Sequence, residues 1–110
     1  MFFRRKYYVV SNDFVEVFNR HFMENNLPNQ LKHGSRLVGR WMAPHSETTT
    51  EIFAIWEYDS KERYEEIERN VRNPEQAKRV NAWYDSQGGR ERVYKECIFH
   101  VNDSEIISTL

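Results

Sequence analysis

The residues of this 110-residue chain whose types could carry chemistry are four histidines, two arginines set beside apolar segments, and one cysteine. His21, His33, His45 and His100 share none of the i, i+3 or i, i+4 spacings that put two ligands on one helix face. His45-Ser46-Glu47 is at most the outline of a metal clip, so no metal site is expected. His33 and His45 read as solvated loop residues. His21 falls inside an apolar helical arc, between Val17 and Phe18. An imidazole there is either a core-edge group bonded to a backbone carbonyl or one tuned for acid–base work. His100, beside Ile98 on a strand, poses the same choice. Cys97 lies among apolar neighbours and reads as a buried, inert thiol. There is no Ser-His-Asp order, nucleophile elbow, phosphate-binding glycine loop or cysteine pair, so the sequence assigns no catalytic residue.

Arg40 stands between Gly39 and Trp41 inside an apolar strand, where a guanidinium needs a carboxylate, a set of carbonyls or an anionic ligand. Glu57 on the paired strand is its expected structural partner, and ligand binding is the alternative. Gly39 and Ala54 are the smallest residues of two neighbouring strands, and each precedes a tryptophan by two positions, Trp41 and Trp56. If that parity faces the helices, the small residues leave a pocket of about 300 Å³ or more, roofed by Tyr64 and Trp83 with Arg63 or His21 at its rim. Otherwise the tryptophan rings fill the space as core. The candidate ligand-binding residues are therefore His21, Gly39, Arg40, Trp41, Ala54, Trp56, Arg63, Tyr64 and Trp83.

These residues must be positioned by the following elements. Residues 2–10, FFRRKYYVV, are aromatic and β-branched and read as a strand. A helix follows, opened by Asp13 with Glu16, or by Asn12, with Phe14, Phe18 and Phe22 centring its apolar stripe. Pro28 is expected to stop it near Leu27. Residues 36–42 and 51–58 read as an antiparallel hairpin. Asp59 and Glu62 form a second capping box before a helix that buries Tyr64, Ile67 and Val71 and carries Glu65–Arg69 and Glu68–Arg72 pairs outside. Asn73-Pro74 breaks this helix and starts another with Ala77, Val80, Trp83 and Tyr84 inward, ended by Gly88-Gly89. Residues 92–101 read as the last strand, with Val93, Cys97, Phe99 and Val101 on one side.

The order β-α-β-β-α-α-β is that of a ferredoxin-like, split βαβ protomer of the α+β class. Helices cover one face of a four-stranded antiparallel sheet in a single domain spanning 1–110. Strand 51–58 is apolar on both parities, with Ile52, Ala54, Trp56 and Tyr58 on one and Phe53 and Ile55 on the other. A sheet with one wet face would alternate, so the non-helical face is expected to pack on a second copy. Alternating Arg4, Arg5 and Lys6 read as charges that protect an edge strand from aggregation.

Composition narrows the function classes. Seven Phe, six Tyr and three Trp stand against only Leu27, Leu31, Leu37 and Leu110, so the core is aromatic. Sixteen basic and seventeen acidic residues leave a net charge of -1, without the field that draws proteins to nucleic acid. No apolar run approaches the ~20 residues that cross a bilayer, and residues 1–6 lack the apolar region of a secretory signal. Neither nucleic acid nor membrane is expected as a partner, and a lone cysteine points to the cytoplasm.

Two stretches resemble a known family. Lys32-His33-Gly34 through Gly39-Arg40-Trp41 (KHGSRLVGRW) and Ile55-Trp56-Glu57-Tyr58-Asp59-Ser60 through Arg63 (IWEYDSKER) are similar to the best-marked segments of bacterial NIPSNAP-like proteins. The first resembles a glycine, a short gap and Leu-Val-Gly-x-Trp; the second resembles Trp-x-Tyr-x-Ser followed by an arginine. The resemblance implies a dimeric α+β barrel, in which two ferredoxin-like sheets close face to face. Its wider superfamily includes cofactor-free monooxygenases, isomerases and haem-degrading enzymes. Haem-degrading members carry an iron-binding histidine in the second helical layer, but residues 60–87 have none, so no cofactor is expected. Three functions remain open: a module binding a small, partly apolar molecule between sheet and helices, a cofactor-free monooxygenase or isomerase acting on an aromatic substrate, and a purely architectural dimer.

Overall fold

A computed structural model describes residues 1–110. Strands β1 (Phe2–Ser11), β2 (Arg36–Pro44), β3 (Thr49–Tyr58) and β4 (Ile98–Ile106) form one antiparallel sheet in the order β2-β3-β1-β4, the ferredoxin-like arrangement. The first helical layer is α1 (Val15–His21), a π turn (Phe22–Asn26) and α2 (Leu27–Lys32); the second is α3 (Lys61–Val71), α4 (Pro74–Ser86) and α5 (Arg90–Glu96).

Strand alternation sorts the core. Tyr8 pairs with Ile52, Lys6 with Ala54, Arg4 with Trp56 and Phe2 with Tyr58, so these side chains share the helix-facing side. One buried cluster joins Val10, Phe14, Phe18, Ile52, Tyr84, Val93, Cys97 and Ile98; a second joins Phe2, Phe22, Ala54, Trp56, Tyr58, Ile67 and Val71. Phe18 bridges sheet and helix, edge-on to Tyr8 at 4.9 Å and stacked on Phe14 at 6.0 Å.

Four expectations are corrected. Pro28 does not end the first helix, which runs on to Lys32. The π turn widens the ladder before the proline, with the Leu27 amide donating to the Phe22 carbonyl, so the missing Pro28 N–H interrupts no regular series. Two cross-layer bonds hold this irregular stretch: Gln76 donates to the Asn25 carbonyl at 2.9 Å, and Asn29 donates to the Val71 carbonyl at 2.9 Å. The layer then ends at Gly34, whose φ of +101° suits a residue without a Cβ, and the Ser35 amide returns to the Gln30 carbonyl.

Residues 92–96 are not strand but part of α5. Val93 on that helix and Cys97 at its C-cap, four apart, are buried, whereas Phe99 and Val101 on β4 are exposed. The spacing of Val93 and Cys97 fits either period, which is why a strand and a helix look alike there.

The caps also differ. Asn12 does not cap a helix; its side chain donates to the Glu47 carbonyl and accepts from the Thr50 hydroxyl, tying β1 to the β2–β3 loop. Ser60, not Asp59, accepts the Arg63 amide at 3.0 Å and caps α3, and Asn73 caps α4 through the Gln76 amide. Finally, β1 is central, so Arg4, Arg5 and Lys6 guard no edge. Arg4 pairs with Asp103 at 2.8 Å, while Arg5 and Lys6 take opposite faces of the sheet.

Truncating the bridging ring, Phe18→Ala, should cost about 3 to 5 kcal/mol, the range for deleting a buried aromatic. Urea unfolding is the check; a loss below about 1 kcal/mol would mean that the ring does not join the layers.

Candidate functional site

A cleft of about 550 Å³ opens between the helix-facing side of the sheet and the two helical layers. Its floor is Ala54, flanked along β3 by Ile52 and Trp56 and across the sheet by Arg40 and Lys6, which pair with Ala54 from either side. The methyl group of Ala54 fills little space, so the cleft exists because the row's centre is its smallest member. Phe18 and Phe22 form one wall, and Val71, Ala77 and Val80 face them from α3 and α4. Arg90 and Tyr94 of α5 close one end.

Arg40 reaches this cleft because β2 carries a bulge. The register shifts between Leu37 and Gly39, so Val38 is an extra residue and the parity of the strand reverses after it. Arg40 therefore points toward the helices, and Glu57, its expected partner, lies on the other face and pairs with Arg36 at 3.2 Å. That expectation is overturned: no carboxylate lies within ion-pair distance of Arg40. The guanidinium instead lies 4.3 Å over the Phe22 ring and 5.7 Å from that of Phe18, and its Nη1 donates to Asn19 Oδ1 at 2.6 Å. Burial lowers its pKa to about 10, opposed in part by Tyr8, so it stays charged at neutral pH. Burial likewise raises the Tyr8 phenol to about 12, keeping it a neutral hydroxyl beside Arg40.

The other predicted site residues separate. Ala54 and Trp56 line the cleft with Arg40. Gly39 and Trp41, carried by the same bulge, share the opposite face of the sheet. The Trp41 ring lies directly on Gly39, in the space that a Cβ would fill, so that glycine makes room for a ring and not for a ligand. Tyr64 packs on Phe2 at 5.2 Å and Tyr58 at 5.0 Å, outside the cleft. Arg63 pairs with Glu66 at 2.8 Å and lies against Gly34. Among the residues sequence reasoning missed, the parity of Tyr8 and Val10 on β1 could have placed Lys6. With residues 92–101 read as strand, no sequence signal points to Tyr94, or to Arg90 just before it.

His21 and Trp83 form a pair beside the cleft, their rings parallel within 9° at 3.7 Å. His21 is buried, and its Nδ1 accepts from the Asn25 side-chain amide at 2.9 Å, so its proton sits on Nε2. The partner is thus a side chain and not a backbone carbonyl. Burial lowers its pKa from 6.5 to about 4. His100 lies edge-on to Tyr7 at 6.0 Å. His33 meets the Asn73 side chain and His45 the Thr49 hydroxyl, and no cluster of three metal-ligating side chains exists.

The NIPSNAP family model matches residues 4–96. The chain belongs to the NIPSNAP family. Among curated proteins, none matches its sequence. Among solved structures, it is similar to an uncharacterized NIPSNAP domain protein from Burkholderia xenovorans, with 20% identity over 99% of this chain and 95% of that one and a TM-score of 0.67. It is also similar to a NIPSNAP family protein of unknown function from Agrobacterium tumefaciens, with 17% identity over 96% and 86% of the two chains and a TM-score of 0.69. A dimeric ferredoxin-like protein from an uncultured marine organism shares 16% identity over 98% and 95%, with a TM-score of 0.51.

The stretches that resemble NIPSNAP-like proteins turn out to be mostly architectural. Gly34 supplies a positive φ at a helix end, Gly39 seats Trp41, Tyr58 is core, and Ser60 caps α3. Only Arg40 and Trp56 of these stretches reach the cleft.

The pH response of His21 has a definite sign. Its folded pKa lies below the unfolded value, so between pH 6.5 and about 4 the unfolded chain takes up a proton that the folded chain refuses. Stability contributed at His21 is full above pH 6.5 and lost as pH falls through that window. Compared by urea unfolding, wild type should lose ground to His21→Phe as pH drops from 7 to 4.5. A difference independent of pH would show that the imidazole does not resist protonation.

Proposed function

We propose that this NIPSNAP protein is a cytoplasmic homodimeric binding module whose cleft between sheet and helices holds a small, partly apolar molecule. The observation that carries the reading is an aromatic-walled cleft of about 550 Å³ with a charged, carboxylate-free arginine in its wall. A volume of this size is typical of ligand sites, and such sites combine apolar walls with a few polar groups. The catalytic alternative finds little support in the side chains: the buried histidine stacks on Trp83 outside the cleft lining, leaving no imidazole base at the cavity. No helix is long and apolar enough to cross a membrane.

The opposite face of the sheet supports the homodimer. Trp41 and Phe53 pack there at 5.7 Å with Trp41 47% exposed, and Val38 and the half-buried Ile55 extend the apolar surface. Arg5, opposite Ile55 on the same face, lies 4.9 Å from the Tyr7 ring, and its Nε is buried without a hydrogen-bond partner. A second copy would cover these exposed rings, as the matching apolar patches of symmetric dimers do. The marine ferredoxin-like protein similar to this chain is described as dimeric.

Two measurements test the reading. Sedimentation at micromolar concentration should give a dimer mass, and Ile55→Glu should give monomer or unfolded chain, because a charge would enter an interface of more than about 1,000 Å². A monomeric wild type would remove the homodimer. Native mass spectrometry of protein purified from its own host should show a retained small molecule, and calorimetry should show that Gly39→Leu displaces Trp41 and weakens association while leaving ligand uptake intact. Loss of uptake without loss of dimer would place the ligand on the wrong face.

A further inference from the structure

The cleft is unevenly charged. Lys6, Arg40, Arg72 and Arg90 line it, against Glu68 alone. Glu68 is held by Arg72 at 3.0 Å, and Asp103, the register neighbour of Lys6 on β4, is held by Arg4 at 2.8 Å, so Lys6 and Arg40 in the floor row and Arg90 at the end make no ion pair within the protein. Arg90 is steadied by Asn81 Oδ1 at 3.0 Å and by the Tyr84 ring at 4.0 Å. The chain as a whole carries a net charge of -1, so this local excess is not a reflection of a basic protein.

Arg40 offers more donors than its protein partner uses. A guanidinium has five N–H groups, and Asn19 accepts from Nη1 only. The buried side-chain polar atom left without a partner in the protein is Arg5 Nε, so the remaining Arg40 donors are not sealed in the core and face open space. The open space they line is the cleft. Lys6 and Arg40 sit on the strands either side of Ala54, with Cα atoms roughly 10 Å apart at the usual strand spacing. Two long cationic side chains can therefore converge on one anionic group above the Ala54 methyl.

We propose that the cleft takes an organic carboxylate with an apolar, flat body, its carboxylate held by Arg40 and Lys6 above Ala54 and its body lying between Trp56, Phe22 and Val80. The assignment rests on the reading of the cleft as a small-molecule site and names the class of molecule. Three features favour it together: a guanidinium fork suits a carboxylate's two oxygens, the aromatic lining matches a flat apolar body, and no carboxylate of the chain pairs with Arg40 or Lys6.

The test is calorimetric titration of the intact protein with two probes of nearly identical shape, 1-naphthoate and 1-naphthamide. Naphthoate should bind at one site per chain and about tenfold or more tighter than the neutral amide, the gain expected of a charge-assisted bond. Arg40→Met, which keeps the side chain's bulk, should bring the two affinities together while naphthamide still binds. Lys6→Met should narrow the gap, and Arg20→Met, removing an exposed cation outside the cleft, should leave it unchanged. Equal affinities in the wild type, or a gap that survives in a folded Arg40→Met, would overturn the carboxylate assignment while leaving the cleft a binding site. If neither probe binds, the reading of the cleft as a small-molecule site fails and the assignment falls with it. Circular dichroism establishes folding of each variant; should Arg40→Met unfold, the wild-type ratio of the two probes decides alone.

Discussion

One extra residue in β2 decides what both faces of the sheet can do. In a regular strand, Arg40 and Leu37 would lie on opposite faces, and Arg36 and Arg40 would share one. The bulge at Val38 breaks that rule, because two residues there oppose one on β3. Arg36 keeps Glu57 and Asp59 on its own side, whereas Arg40 is delivered into an apolar cleft with a side-chain amide and two aromatic faces for company. The same half-turn sends Trp41 outward, where its ring lies on Gly39. A charge beneath the helices and a bare ring outside them thus have a common origin.

The cleft also depends on the choice of rings over leucines. Phenyl and indole rings are wide and stiff, and they meet at fixed tilts, as Phe22 and Trp56 do at 6.1 Å. Flexible aliphatic chains would settle into the gap above Ala54, but rings braced against one another hold it open. The irregular first helical layer belongs to the same economy of space. Its π turn places Phe22 against the sheet while Gln76 and Asn29 hold the widened backbone to the second layer.

The fold was legible in the sequence because its signals were redundant. The strand hydropathy, the Phe14-Phe18-Phe22 stripe and the order of the elements all led to the same four-stranded sheet, and the NIPSNAP-like stretches agreed. What escaped was local. A proline after a π turn looks like a proline that ends a helix, and Val93 with Cys97 fits two periods. The candidate site is legible only in part, because parity carried along β2 from Arg36 or Leu37 is wrong by one beyond the bulge, and no residue type announces it: Val38 is an ordinary strand former. Hence Arg40, Ala54 and Trp56 of the candidate residues meet at the cleft together with Lys6, while Gly39 and Trp41 lie on the other face of the sheet.

The three tryptophans occupy three separate settings: Trp41 exposed on the outer sheet face, Trp56 buried in the cleft lining, and Trp83 stacked on a histidine. Indole emission shifts with polarity and is quenched by a neighbouring imidazolium, so each ring is a built-in optical probe of a different event. The chain carries its own labels for contact between sheets, occupancy of the cleft and the protonation of His21, and single Trp→Phe replacements would let each be followed by light alone.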